Sequence, residues 1–379
     1  MEYPDKSSAT YRSLTGLIDG RVDLDRSIAP ADSRCHAALC VMASKVAYEN
    51  EAFIRDVVTR RWKMEFVKFF DCWNGNEHFC STEHGRFHPS GTAEHGRNVV
   101  FVLASEFENA YTTQAFVFCD RAAPDAELVV VAFRGTPAFD AARWRADLDP
   151  SWYKVPRLGR AHAAYTHALG AQRNMGWPKW VEHVKGKPNK AYAYYAIRDA
   201  VKGILEANGK ARLLVTGHGS GGALAALFAT VMAYHREKAA LDRLAGVYTF
   251  GQPRVGDAML AMFAERNLDR PRKRHFRFAY AGDPLPRLPA GESSHFLHFG
   301  LCLHFDASYN LKVIIGASLL QILTALTSSN LVSFSCGANS PFGRWVNYPE
   351  REFGESDISF VSYSKSAKSR NLSYQSLTM

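Results

Sequence analysis

The sequence predicts an α/β chain, a mostly parallel sheet flanked by helices, with a mainly helical layer at its N-terminal side. Three observations predict it. Short apolar runs of strand length alternate with segments whose apolar residues recur at helical spacing. Strands that alternate with helices are joined by crossovers, and crossovers build parallel sheets covered on both faces. One strand-like run, Ala211–Thr216, leads directly through a glycine-rich turn into a helix.

The elements follow in order. Residues 1–33 are polar and mixed and predict a loose arm. From Cys35 to Trp62, Leu39, Met42, Val46, Phe53 and Val57 recur at helical spacing and predict one or two helices. The aromatic stretch WKMEFVKFFDCW (Trp62–Trp73) is expected to pack against the main sheet. Residues 75–105 are rich in histidine and glycine and read as a polar insertion. Ala115–Cys119 and Leu128–Phe133 read as strands. Tyr194, Ile197, Val201, Ile204 and Leu205 mark a helix face, Ala211–Thr216 the next strand, and Leu224, Leu227, Phe228 and Val231 the next helix. Val247–Phe250 and His275–Tyr280 read as further strands. This divides the chain into a helical region over 1–109, an α/β domain over 110–310 and a divergent tail over 311–379.

The tail has no Asp, Glu, Lys or Arg from Val313 to Gly343. Its apolar part, VIIGASLLQILTAL, is 14 residues long, short of the roughly 20 that cross a bilayer. It predicts a helix near Val313–Leu326 that is buried or lies in an interface. Residues 344–379 are Ser-rich and polar and predict disorder.

Composition narrows the function classes. The chain has 379 residues, 47% hydrophobic and 22% charged, enough to bury a sizeable core. The net charge of +9 is spread along the chain. The basic cluster at Arg270–Arg277 has no interleaved stacking motif, which favours an anionic surface such as a lipid interface over nucleic acid. Seven cysteines without CxxC spacing predict a reduced, intracellular compartment. The start MEYPDKSSATYRS has no signal-peptide core, so secretion is not indicated.

The segment LLVTGHGSGGALAAL (Leu213–Leu227) has the context of a nucleophile elbow. Such a turn needs small residues two before and two after the nucleophile, and the following helix N-terminus stabilises an oxyanion. Two registers compete. With Gly217 and Gly221 as flanks, the nucleophile position is Gly219 and has no side chain. With Ser220 as the nucleophile, the flanks are His218 and Gly222, and His218 is bulky where a small residue is wanted. A phosphate-binding loop is disfavoured, because the GK[ST] ending is missing.

VVAFRGT (Val130–Thr136), TGHGSGGALA (Thr216–Ala225), VYTFGQPRVGD (Val247–Asp257), GDPLPRLP (Gly282–Pro289) and HFLHFG (His295–Gly300) are co-linear. Together they resemble the class-three, fungal-lipase-like lipase family. The stretch RRWKMEFVKFFDCWN (Arg60–Asn74) resembles its plant oil-body triacylglycerol lipase branch. The resemblance covers roughly 15–74 and 106–310 and implies the α/β-hydrolase fold. It implies a serine–aspartate–histidine order in which Asp283 orients an imidazole at His298. It also implies an oxyanion hole from Thr136 and the backbone N–H of Ser220. Pro137–Pro156 then matches the lid region, with Phe139, Trp144, Leu148 and Trp152 on its apolar side. The family's elbow reads GHS, a large apolar residue, then GG. Here GHGSGG keeps the length, so two adjacent residues are substituted.

No cofactor is implied. Cys80, His84 and His88 have a ligand-like spacing. Gly85, Pro89 and Gly91 argue against the rigid helix a metal site wants, so a solvated loop without metal is expected. The resemblance implies an intracellular hydrolase of acylglycerols or other acyl-ester lipids, on the cytoplasmic face of a lipid droplet or membrane. The competing reading is a catalytically inactive relative that binds acyl lipid or a protein partner, because position 219 is glycine.

Overall fold

A computed structural model describes residues 5–73, 112–137, 140–172, 176–181, 191–289 and 295–315. Among the described residues, eight strands form one sheet. They are β1 (Glu65–Trp73), β2 (Thr112–Cys119), β3 (Leu128–Phe133), β6 (Arg212–His218), β7 (Leu244–Phe250), β8 (His275–Tyr280), β9 (Leu301–Phe305) and β10 (Leu311–Ile315), in the order β1-β2-β3-β6-β7-β8-β9-β10. The five strands from β3 to β9 are mutually parallel, and β1, β2 and β10 add antiparallel edges. Two further strands, β4 (Trp152–Val155) and β5 (Gly159–His162), form a separate antiparallel hairpin.

Side chains alternate across a strand, so one strand serves two cores. Val129, Val131 and Phe133 of β3 face one way. There they meet Tyr194, Ile197 and Val201 of α6 (Ala193–Ala207) and Leu224, Leu227 and Phe228 of α7 (Ser220–Tyr234). Val130 and Ala132 face the other way, with Leu214 and Phe250. The cover there is Leu39, Cys40, Ala43 and Val46 of α2 (Cys35–Val46) and Phe53 and Ile54 of α3 (Glu51–Asp56). The polar arm before them carries one short helix, α1 (Leu14–Ile18), whose start is capped by the Ser13 hydroxyl. α7 is buried from Ser220 to Ala233, as a helix apolar on every side must be. α2 is fixed over β6 by a buried hydroxyl pair, Ser44 Oγ to Thr216 Oγ1 at 2.8 Å.

The sheet takes in more chain than the 110–310 expected. The aromatic stretch packs against the sheet by joining it: Glu65–Trp73 is the edge strand β1, paired with β2. The tail differs as well. Val313 and Ile314, read as the start of a helix, pair antiparallel with Leu303 and Cys302 of β9. A charge-free apolar run carries no period of its own, and β9 offers it an open ladder. The rest of that segment, the insertion at 75–105 with Cys80, His84 and His88, and residues 344–379 lie outside the described residues. Among the described residues, no helix is long and apolar enough to cross a membrane.

Candidate active site

β6 is central and apolar, with Leu213, Leu214 and Val215 fully buried. Its last residue is His218, and α7 begins at Ser220. The reversal is made by Gly219 alone, at φ 57° and ψ −128°. Few L-residues adopt that backbone; glycine does so without strain. The Gly219 N–H donates to Phe250 O at 2.8 Å, and its carbonyl accepts from the Gly222 N–H at 2.9 Å, so both ends of the turn are tied. The flanks are as close as the turn demands. A Cβ on Gly221 would lie 2.5 Å from the Phe133 carbonyl and 2.9 Å from the Gly135 nitrogen, and one on Gly217 would meet the Gly221 carbonyl. The residue at the tip is therefore Gly219, between Gly217 and Gly221. A Cβ there would find only ordinary contacts, Leu285 Cδ1 at 3.5 Å and the Tyr48 hydroxyl at 3.8 Å.

Ser220 sits one residue into the helix and is buried. Its Oγ is 2.8 Å from Thr136 Oγ1, and Thr136 Oγ1 donates to Asp147 Oδ2, also at 2.8 Å. Thr136 has one hydroxyl proton, so Ser220 is the donor in the first bond. The hydroxyl of Ser220 is thus directed at the loop after β3. Asp147 belongs to α4 (Ala141–Leu148). Burial pushes its carboxyl up to about 6, against the Thr136 hydroxyl, which favours the ionised form. The structure brings the two residues expected to line an oxyanion hole into direct contact. Among the described residues, neither backbone N–H, of Thr136 or of Ser220, has an acceptor.

Asp283 follows β8. Its Oδ1 accepts from the Leu285 N–H at 2.9 Å, and burial raises its carboxyl to about 6. The hydrogen bond expected between Asp283 and His298 is not made. His298 Nε2 instead donates to the Pro286 carbonyl at 2.6 Å, and its buried Nδ1 has no partner among the described residues. Burial, with Arg277 and Arg254 nearby, holds that imidazole well below its ordinary value, in the neutral form. The ring is turned by the carbonyl it meets, which motif spacing does not specify.

A different imidazole adjoins Asp283. A Cβ on Gly251 would be 2.6 Å from Asp283 Oδ2 and 3.4 Å from His218 Nε2, so both groups border the same point. His218 Nδ1 is 2.8 Å from the hydroxyl of Tyr48, just past the end of α2. Tyr48 also abuts Gly135, where any Cβ would collide with its hydroxyl. Neither Tyr48 nor His218 stands out as a site residue from sequence. Tyr48 lies 170 residues from its partner, with no local motif to mark it.

The apolar side of the segment expected to form a lid is only partly described, and Phe139 lies outside the described residues. Trp144 is half-buried, while Leu148 and Trp152 are exposed, the latter with the Arg160 guanidinium 4.2 Å above its ring. Trp152 pairs across the hairpin with His162, at the end of β5, and Tyr165 follows in α5 (Ala163–Ala168). The His162 and Tyr165 rings stack at 4.2 Å, and burial pushes the His162 imidazole down to about 4. Among the described residues, no cluster of His, Cys, Asp and Glu is arranged to hold a metal ion.

A mostly parallel sheet with a one-residue elbow between a central strand and a buried helix is the α/β-hydrolase fold. The chain resembles the class 3 lipase family. The family model described as lipase (class 3) matches residues 130–293. Triacylglycerol lipase OBL1 of Arabidopsis thaliana is 36% identical over 81% of this chain and 60% of its own length. Triacylglycerol lipase OBL1 of Ricinus communis is 30% identical, over 82% and 62% respectively. The chain thus spans about 60% of the first of these relatives. Among solved structures, the lipase from Rhizopus microsporus var. chinensis aligns with 81% of this chain and 91% of its own, at TM-score 0.48 and 16% identity.

Proposed function

We propose that this chain is a triacylglycerol-lipase-type protein that holds acyl-ester lipid at a lipid surface but, as written, turns it over very slowly. One observation carries the reading. The tip of the elbow is Gly219, and the neighbouring hydroxyl, Ser220, donates to Thr136 from inside a helix. An ester carbonyl placed at the tip would meet the N–H groups of Thr136 and Ser220, which polarise it. No hydroxyl stands where attack would start. Bringing Ser220 there would turn α7, whose Leu224, Leu227 and Phe228 are core, at a cost of a few kcal/mol. Loss of a triad nucleophile typically costs about a millionfold in turnover.

The acyl-ester substrate class is supported by the triacylglycerol lipase relatives. The exposed Leu148 and Trp152 beside the site suit the surface of a lipid droplet or membrane, which we place on its cytoplasmic face. The test compares wild type, Gly219→Ser and Ser220→Ala for ester hydrolysis and labelling by a fluorophosphonate. We expect neither in the wild type, and labelling of the introduced serine in Gly219→Ser. Brisk hydrolysis by wild type that Ser220→Ala abolishes would make Ser220 a displaced nucleophile and refute the reading.

A further inference from the structure

We propose that the stretch from α4 to β5 docks the chain on anionic phospholipid, with Arg145, Lys154, Arg157 and Arg160 at the headgroups and Leu148 and Trp152 among the acyl chains. The inference rests on the reading that the chain works at a lipid surface, and goes on to name the face and the headgroup charge. On α4, Asp147 is buried and Trp144 half-buried, while Arg145 and Leu148, three apart on the other side, are exposed. Residues 149–151 alone join α4 to β4. Alternation along β4 and pairing across the hairpin put Trp152, Lys154 and Arg160 on one face. The Arg160 guanidinium over the Trp152 ring shows that they meet there. Lys154 and Arg160 stand directly opposite each other, a like-charge pair that costs stability. Arg157 holds the turn between the strands at φ 64°, a backbone that glycine or asparagine adopts more easily.

The carboxylates of the same stretch are engaged elsewhere. Asp140 pairs with Arg143 at 3.3 Å, Asp147 is buried against the Thr136 hydroxyl, and Asp149 accepts from the Ser151 hydroxyl. Among the described residues, Arg145, Lys154, Arg157 and Arg160 make no ion pair, so this face presents uncompensated positive charge. A partner with negative charge would relieve the Lys154–Arg160 repulsion. The apolar residues say which kind. Against a nucleic acid, Leu148 would gain nothing; at a phospholipid surface it leaves water, and an indole sits at the level of the headgroups. Cations interleaved with such residues are the pattern of a helix or hairpin that lies in an anionic interface. The face is also coupled to the elbow. Asp147, on the inner side of α4, holds Thr136, so lipid docked on the outer side lies one helix away from the site.

The test is cosedimentation of the purified full chain with vesicles of phosphatidylcholine, with and without about one-third phosphatidylserine. The anionic vesicles should bind about tenfold or more tightly, and the difference should shrink as salt is raised. Lys154→Gln with Arg157→Gln removes two exposed charges. It should weaken binding to the anionic vesicles about 25-fold, since each cation near such a surface is worth about fivefold. Lys202→Gln with Lys238→Gln, on α6 and after α7, lowers the net charge equally and should leave binding within about twofold. Leu148→Gln should weaken it severalfold at low and high salt alike. Folding of each variant is checked by circular dichroism; if one fails, the lipid and salt dependence of the wild type still decides. Equal binding to both kinds of vesicle would overturn the inference, as would equal weakening by the two double variants. Binding to polyglutamate as tight as to anionic vesicles, and unmoved by Leu148→Gln, would make the partner an acidic protein and overturn it too. Failure of this inference alone appears as neutral and anionic vesicles bound alike; if no vesicle binds, the lipid-surface reading falls with it.

Discussion

Replacing Asp283 by Asn should stabilise the protein at pH 8 and not at pH 4. Burial lifts this carboxyl from 3.8 to about 6, and its one described hydrogen bond, from the Leu285 N–H, is not enough to offset the burial. The folded state therefore holds the proton more tightly than the unfolded chain. The stability that follows is fully present below about pH 4 and is lost as the pH rises through 6. Above that pH the fold carries a buried carboxylate at a cost of up to ~3 kcal/mol, since each tenfold gain in proton affinity is worth ~1.4 kcal/mol and the rise spans roughly two of them. Asn keeps the acceptor for Leu285 and removes the charge. Allowing for its less well satisfied amide, a gain of ~1–3 kcal/mol is expected at pH 8. Urea denaturation of both proteins at pH 4, 6 and 8 measures it, and the comparison cancels Asp147, which titrates in the same window in both. The opposite result, Asn destabilising more at pH 8 than at pH 4, would refute the reasoning. It would mean that the carboxylate is stabilised in the fold, as it would be by an imidazolium partner.

Two further substitutions probe the same walls. Gly221→Ala should destabilise by ~2 kcal/mol or more, because its Cβ meets backbone atoms of Phe133, Arg134 and Gly135 that have nowhere to go; a thermal midpoint equal to wild type would contradict it. Thr136→Val keeps the shape but removes the hydroxyl between Ser220 and Asp147, leaving a buried donor and a buried carboxylate short of a partner. A loss of ~2–3 kcal/mol is expected at pH 8. It should shrink at pH 4, where Asp147 is protonated, and an equal loss at both would remove Asp147 from the account.

How far the sequence can be read follows from what each signal encodes. Leu128–Phe133 and His275–Tyr280 are legible from end to end, because β-branched and aromatic residues in short runs leave few alternatives. The tail after Leu311 is not, because its first residues become a strand only through pairing with β9. The elbow is legible as a turn, since only glycines permit the approach of Gly217 and Gly221 to their neighbours. Which residue stands at its tip is open on sequence alone, and the backbone angles at 219 decide it. The position of His298 beside Phe299 is legible, the direction of its ring is not, since the Pro286 carbonyl that holds it lies 12 residues away. The Tyr48–His218 contact joins the helical layer to the elbow and leaves no trace in local sequence.

On the proposed reading, the elbow also shows why a glycine is tolerated at its tip. Any residue with a side chain at φ 57° and ψ −128° stores strain of ~1–3 kcal/mol, which a working nucleophile justifies and an idle one does not. Glycine releases that strain while the Phe250, Gly222 and Ala223 hydrogen bonds keep the turn in place. Activity and stability should therefore move in opposite directions at this residue. Gly219→Ser should unfold at lower denaturant by the equivalent of ~1–3 kcal/mol, even though its Cβ meets nothing nearer than 3.5 Å. Gly219→Ala should lose a similar amount, because the penalty belongs to the backbone and not to the hydroxyl. If serine cost nothing while alanine cost several kcal/mol, the hydroxyl would be finding a partner in the site. Tyr48, whose oxygen is 3.8 Å from the Cβ position, would then be the first group to test.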